Sequence, residues 1–453
     1  MILRPSLPKI KTFLRPARLS VSTTRLVIAL IAAFVHHPGR MSASQAAGAI
    51  QSEARHRAQL VRFLARSHWS KDWQLLQTVA DLLWELETQR AGTWVFILDQ
   101  TYIGQVGQRI ENTFCCGNVR PRTKKSNRKQ KKYAKRSCHG FVCGLLITPS
   151  GFRIPYCRSY YTQDYCQKRQ YTYRKQTELA AELIDQVSIP AGARVIVLGD
   201  TAFEAACIQT ACQKRGFLWI VPINPERVLA GTKPRPKIRS LVETFSAQDF
   251  EAVGLLPGQR ETAPYQRAAA CRLGPKTKAR TYWVHTEKRL VHHVGQVTLV
   301  FSTKEQPLMG QKINVQKVLM TNGLSLTAAE VVRWYSVRWQ IEQFFKELKS
   351  GLGLDQYRFR EFRKVENWVQ ACLVTFVYLE WYRALQLQRA DLPDAQKRWW
   401  QWQRCYGVGR AVVVRAEAAD LAWLLRRAAT QSGLRELRRV LRAALPLEYR
   451  NAA

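Results

Sequence analysis

Two stretches decide most of what this chain can become: Trp94-Val95-Phe96-Ile97-Leu98 and Val195-Ile196-Val197-Leu198. Each is apolar throughout, and an aspartate follows each closely, Asp99 in one case and Asp200 in the other. A short run of this kind has no polar side to turn toward water, so it reads as a central strand covered on both faces. Sheets built from such strands place their chemistry at strand ends, where side chains become accessible. One aspartate in that position commonly caps the following turn; two in one sheet point to a site.

The surrounding segments fit an α/β sheet. Strands are expected at Thr93 to Leu98, Phe141 to Thr148 and Phe152 to Tyr160, the last two joined by the turn Pro149-Ser150-Gly151. A helix follows from about Lys175 to Val187, then the strand Arg194 to Leu198, a helix from about Phe203 to Lys214, and a strand from Phe217 to Val221. Strands alternating with helices predict a mixed sheet with helices on both faces. Residues 222–315 read as a β-rich insertion, with strands at Thr281 to His285 and Gln296 to Ser302. Helical signal resumes at Thr327, runs through Glu342 and recurs from about Val365 to Gln388. Five regions result: 1–90 helical, 91–221 and 316–390 the two parts of the core, 222–315 the insertion, and 391–453 a basic helical tail.

The chain holds 71 Lys and Arg against 33 Asp and Glu, a formal net charge of +38. That excess calls for a polyanion, and nucleic acid supplies one through release of condensed counterions. A membrane surface is the competing polyanion, but the longest apolar run, Leu26 to Val35, is about half of what spans a bilayer. It reads as a buried helix started by Ser22, Thr23 or Thr24 and ended before Pro38 rather than as a secretory signal. Eleven cysteines in 453 residues are too few for a disulfide scaffold, which suits a reducing cytoplasm. Cys115, Cys116, Cys138, His139 and Cys143 lack paired zinc spacing and read as buried thiols and an ordinary histidine.

Basic residues concentrate between the first two core strands. Arg120, Arg122, Lys124, Lys125, Arg128, Lys129, Lys131, Lys132, Lys135 and Arg136 repel one another, so the segment either orders along DNA backbone or stays a solvated insert. Near the N-terminus, a short helix from Ser42 to Ile50, a turn, and a second helix carrying Arg55, His56, Arg57, Arg62 and Arg66 suit a helix-turn-helix and equally an ordinary bundle. Tyr160, Tyr161, Tyr165, Tyr171 and Tyr173, interleaved with basic residues, suit either base stacking or edge packing. Trp399, Trp400 and Trp402 read as packing or dimer anchors.

One further helix carries chemistry. At about 100° per residue, Tyr335, Arg338, Glu342 and Lys349 fall within roughly 60° of one another, with Lys346 on the same face. By spacing alone this is a solvated face with an Arg338–Glu342 ion pair. The pattern Tyr-x2-Arg-x3-Glu-x6-Lys, with two strand-terminal aspartates upstream and a β-rich insertion before the glutamate, nevertheless resembles the insertion-sequence-four-like family of bacterial cut-and-paste DDE transposases, the Tn-five-like group. The resemblance spans roughly residues 22–390.

That resemblance implies a ribonuclease-H-like fold in which Asp99, Asp200 and Glu342 hold two magnesium ions, with manganese able to substitute. It also implies that Tyr335, Arg338 and Lys349 contact transposon-end phosphates, and that two copies pair two DNA ends. Relatives often carry a glycine two residues after the second aspartate; here Ala202 stands there. An aromatic of the insertion stacks on a flipped base in relatives, and Trp283 is a candidate. The chemistry is self-consistent, since three carboxylates suit hard cations and paired ions activate water and neutralise a leaving oxygen. Two rivals stay open: a nuclease or degenerate transposase on the same fold without strand transfer, and a non-catalytic basic DNA-binding protein.

Overall fold

In a computed structural model of the chain, the two apolar runs lie side by side in one sheet. The structure describes residues 7–37, 41–49, 56–66, 71–105, 109–116, 136–231, 235–255 and 280–435. Ten strands are formed: β1 Thr93–Gln105, β2 Phe114–Cys116, β3 Arg136–Ile147, β4 Arg153–Tyr160, β5 Arg194–Leu198, β6 Leu218–Pro222, β7 Glu251–Leu255, β8 Arg280–Val291, β9 Gly295–Thr303 and β10 Lys317–Thr321.

β3 runs antiparallel to both β1 and β4, β5 is parallel to β1, and β6 is parallel to β5. The order β4-β3-β1-β5-β6, an antiparallel meander extended by two parallel strands, is the ribonuclease-H-like arrangement. β2 shares an edge of β3 with β4. Beyond β6 the same sheet continues antiparallel through β10, β9, β8 and β7, so the strands of residues 222–315 extend the central sheet. Trp94 to Leu98 and Val195 to Leu198 are all buried, which requires cover on both faces and is met by helices. β1 and β3 pack closely at Gly144 of β3, where an added methyl group would meet the Phe96 ring of β1.

The expected strand at Thr93 to Leu98 is longer than predicted. β1 continues seven residues past Leu98 because the hairpin edge of β3 remains paired with it as far as Gln105 opposite Ser137. Asp99 therefore sits inside β1, at the point where β5 stops being its other neighbour.

The N-terminal helices fold onto the core. The helix Val21–His36 is capped by Ser20, whose Oγ accepts from the Thr23 amide at 3.3 Å, ahead of the expected start at Ser22, Thr23 or Thr24. The helices Ala43–Ala49 and His56–Arg66 are formed and Leu60, Phe63 and Leu64 of the second are buried, while the expected turn between them lies outside the described residues. The helices Val21–His36, His56–Arg66 and Gln74–Glu85 pack around the 26-residue helix Phe362–Leu387, which is buried on nearly every side. Phe34 packs on Trp368 at 5.0 Å and Phe13 on Tyr378 at 5.3 Å, and Asn367 Nδ2 donates to the Leu64 carbonyl at 2.7 Å. Apolar residues all round this helix are what such burial demands.

Its two buried charges are closed into a network. Arg153 of β4 donates to Glu347 through Nη1 at 3.0 Å and Nη2 at 3.1 Å, and to Glu380 through Nε at 3.2 Å and Nη2 at 2.5 Å. Arg383 donates to the other Glu380 oxygen at 2.7 Å, and the Cys405 amide donates to Glu347 at 3.1 Å. Burial pushes the Glu380 carboxyl up, but Arg153 and Arg383 outweigh it and hold it below the ordinary value. Two positive and two negative side chains thus tie β4, the segment after Glu342, the long helix and the helix Cys405–Ala428 together.

Several of the ambiguous aromatics pack within the chain, while Tyr171 and Trp399 remain exposed. The rings of Tyr161, Tyr165 and Tyr171 cluster with one another, Tyr161 and Tyr165 also pack on Phe362, and the Tyr161 hydroxyl donates to Glu366 at 2.6 Å. Trp400 is buried against Tyr382, whereas Trp399 remains partly exposed. The cysteines divide: Cys143 and Cys157 are buried thiols with sulfurs 3.7 Å apart, Cys115 is exposed, and Cys138 is disulfide-bonded, contrary to its reading as a thiol. His139 is buried between the Tyr357 hydroxyl at 2.8 Å and the Glu111 carbonyl at 2.9 Å, and burial pushes its pKa down to about 4.

Candidate active site

The register of the two central strands brings the first two acids together. β1 and β5 pair in parallel from Thr93 with Arg194 to Ile97 with Leu198. Asp99 and Asp200 each lie two residues beyond that last pair, on adjacent strands whose spacing is about 4.8 Å. Asp99 Oδ1 accepts from the Gln100 amide at 2.7 Å. Asp200 caps a short 3-10 turn, Thr201–Phe203, by accepting from the Ala202 amide at 2.9 Å. Ala202 does not adopt a positive φ, so the alanine in place of the relatives' glycine is accommodated without strain.

The third acid arrives on a helical segment that is not one helix. The helix Ala328–Ser336 starts with a capping box, in which Thr327 and Glu330 satisfy each other's backbone amides. It gives way to a turn at Val337 and Arg338, resumes as Trp339–Lys346, and widens into a π-helical stretch, Glu347–Leu352, ended by Gly353 at φ 77°. The uniform 3.6-residue face expected from Tyr335 to Lys349 is therefore interrupted twice. The four side chains still reach one neighbourhood.

Arg338 is the hub. Its Nη1 lies 3.5 Å from Asp99 Oδ2 and its Nη2 donates to Glu342 Oε1 at 2.5 Å, so one guanidinium bridges two acids on separate elements. Burial raises the Asp99 pKa to about 6; the Gln100 amide and Arg338 pull it down, while Asp200 and Glu342 push it further up. Asp200 and Glu342 thus both lie within electrostatic reach of Asp99. Tyr335, raised to about 12 chiefly by burial, feels Arg338, Asp200 and Glu342. Lys349 donates to the Tyr102 carbonyl of β1 at 3.3 Å, and burial lowers its pKa against the opposing pull of Asp355, Cys143 and Asp99.

Sequence spacing missed Lys317. It opens β10, its Nζ stands 4.9 Å over the Tyr335 ring, and its pKa is lowered by burial and by Arg338 and Lys304, with Glu342 opposing. No motif marks it; only the run of β10 toward the Glu342 helix places it there. Trp339, 54% exposed, flanks Arg338. Trp283 is half-buried in the middle of β8, opposite Ala252 and Thr303. Lys346 is exposed. The basic segment with Arg122, Lys124, Lys125, Arg128, Lys129, Lys131 and Lys132 lies outside the described residues.

Carboxylate oxygens are hard donors of the kind magnesium and manganese take, and Asp99 is held above its ordinary pKa first by burial and then by Asp200 and Glu342. Among the described residues no three acids, histidines or cysteines are gathered closely enough to enclose an ion, and Arg338 bridges Asp99 and Glu342. No helix of the described residues is long and apolar enough to cross a membrane.

A mixed sheet of this order carrying helices is the ribonuclease-H-like architecture of DDE transposases. The model of the transposase DDE domain matches residues 90–378, well over half of the chain, which belongs to that family. The chain is a transposase. No curated protein matches it at a significant level.

Proposed function

We propose that this chain is the transposase of an insertion sequence that moves by cut-and-paste. It binds the terminal inverted repeats of its element, cuts the ends, and joins the released 3′-hydroxyls to target DNA. What supports this reading is the position of Asp99 and Asp200 two residues beyond the last β1–β5 pair, together with the Arg338 bridge from Asp99 to Glu342. Asp99, Asp200 and Glu342 are the residues that would hold divalent ions, which supply a deprotonated water and neutralise the leaving oxygen.

The other side chains bind and orient the strand. Arg338 offers a planar fork that takes two phosphate oxygens, and Lys349 and Lys317 act as point charges on either side. Tyr335 keeps its proton across the physiological range and donates a hydrogen bond to a phosphate oxygen. No protein nucleophile is needed, because the attacking group comes from water or from the DNA 3′ end. Two chains, each holding one end, form the active complex. The basic segment 120–136 and the net charge of +38 support sequence-independent contact with flanking and target DNA.

Joining distinguishes this reading from a nuclease on the same fold. A duplex copied from the DNA flanking the coding sequence, supplied with its 3′ end already cut, is expected to be joined covalently to plasmid DNA in the presence of Mg2+ or Mn2+. Cleavage of uncut ends without joining of precut ends would place the chain among nucleases instead.

A further inference from the structure

The Arg338 bridge has a consequence for when the site is charged with metal. One guanidinium occupies oxygens of both Asp99 and Glu342, two of the three acids that the transposase reading assigns to metal. A cation entering between them meets a positive group already in place, and among the described residues no three acids enclose an ion. The same fork binds phosphate as readily as carboxylate, because both offer paired oxygens at matching spacing.

A phosphate has somewhere to sit beside Arg338. Lys317 lies over the Tyr335 ring, and both side chains feel the Arg338 charge, so a cation and a hydroxyl donor already stand near that guanidinium. A backbone phosphate docking there competes for Arg338 with a full negative charge and leaves Asp99 and Glu342 without their counter-ion. Resting on the transposase reading, we propose that Arg338 is an exchangeable counter-cation: it neutralises Asp99 and Glu342 in the free chain, and its capture by an end phosphate opens those carboxylates to metal. Metal loading then follows DNA binding, and cutting is confined to bound ends. By linkage each ligand tightens the other by the same factor.

The test is Mn2+ binding, read from the free-ion electron paramagnetic resonance signal and independent of turnover. The full chain is titrated with and without a duplex copied from the flanking DNA, with duplex alone subtracted. Wild type alone is expected to bind weakly and to gain about tenfold or more with duplex. Arg338→Met, and Arg338→Gln as a second variant that keeps length and polarity, are expected to bind Mn2+ about tenfold more tightly than wild type without DNA, with little further gain from duplex. Asp99→Asn/Glu342→Gln is expected to lose the binding in every form. If duplex tightens wild type while neither Arg338 variant is tighter alone, the exchange is refuted and the transposase reading stands. If no form shows Mn2+ binding that depends on Asp99 and Glu342, both fall.

Discussion

Replacing Arg153 by Met probes the buried network behind the active-site helix. Arg153 is fully buried and makes four charge-assisted bonds, two to Glu347 and two to Glu380. Methionine fills much of the volume but leaves two buried acids with one buried arginine. Glu380 keeps Arg383, whereas Glu347 keeps the Cys405 amide. Breaking a buried pair by removing one partner typically costs about 3–5 kcal/mol, because the remaining charge is stranded out of water. Urea unfolding followed by tryptophan fluorescence is the assay, and a loss of that size is expected. The double variant Arg153→Met/Glu347→Gln restores neutrality and is expected to recover part of the loss, a coupling of about 1–3 kcal/mol. Glu347 lies five residues beyond Glu342 at the start of the π-helical stretch, so the single variant should also weaken DNA cleavage. A cost below about 1 kcal/mol, as for a surface ion pair, or a double variant equal to the sum of the singles, would refute the reasoning.

Two predictions concern pH. Asp99 titrates near 6 in the folded chain against an ordinary 3.8, so the folded state holds the extra proton and stability from this group falls as pH rises through that window. Asp99→Asn should therefore exceed wild type in stability by about 2–3 kcal/mol at pH 8 and by little at pH 3; an equal difference at both would contradict it. His139 has the opposite sign, since its pKa is pushed down from 6.5 to about 4 and stability is lost as pH falls between those values. The destabilisation by His139→Gln should shrink from pH 8 to pH 4, and a constant difference would sink the assignment.

The apolar runs at β1 and β5 were legible because total burial leaves only one kind of residue available. Past Asp99 the reading failed, since Gln100, Thr101 and Tyr102 mix polar and aromatic character and the pairing that keeps them extended comes from β3, more than thirty residues on. β8 was read short for a similar reason: Glu287, Lys288 and Arg289 have the composition of a loop, yet pair with Leu299, Thr298 and Val297. The acids proposed for the site, Asp99, Asp200 and Glu342, rest on strand position and motif. Lys317 was not, because a lysine opening a strand carries no periodicity. Arg153, Glu347 and Glu380 look like solvated charges in sequence, and only folding shows that they share one dry pocket. The interruption at Val337 and Arg338 and the π-helical stretch leave no trace in a 3.6-residue pattern.

The central claim is that Asp99, Asp200 and Glu342 act together on DNA. Alanine at each position, assayed on a labelled duplex from the flanking DNA with Mg2+, tests it most directly. The account predicts that each variant loses cleavage by at least about a hundredfold while retaining duplex binding within a few-fold. Retained cleavage in any of the three, or loss of cleavage that tracks loss of binding, would contradict it.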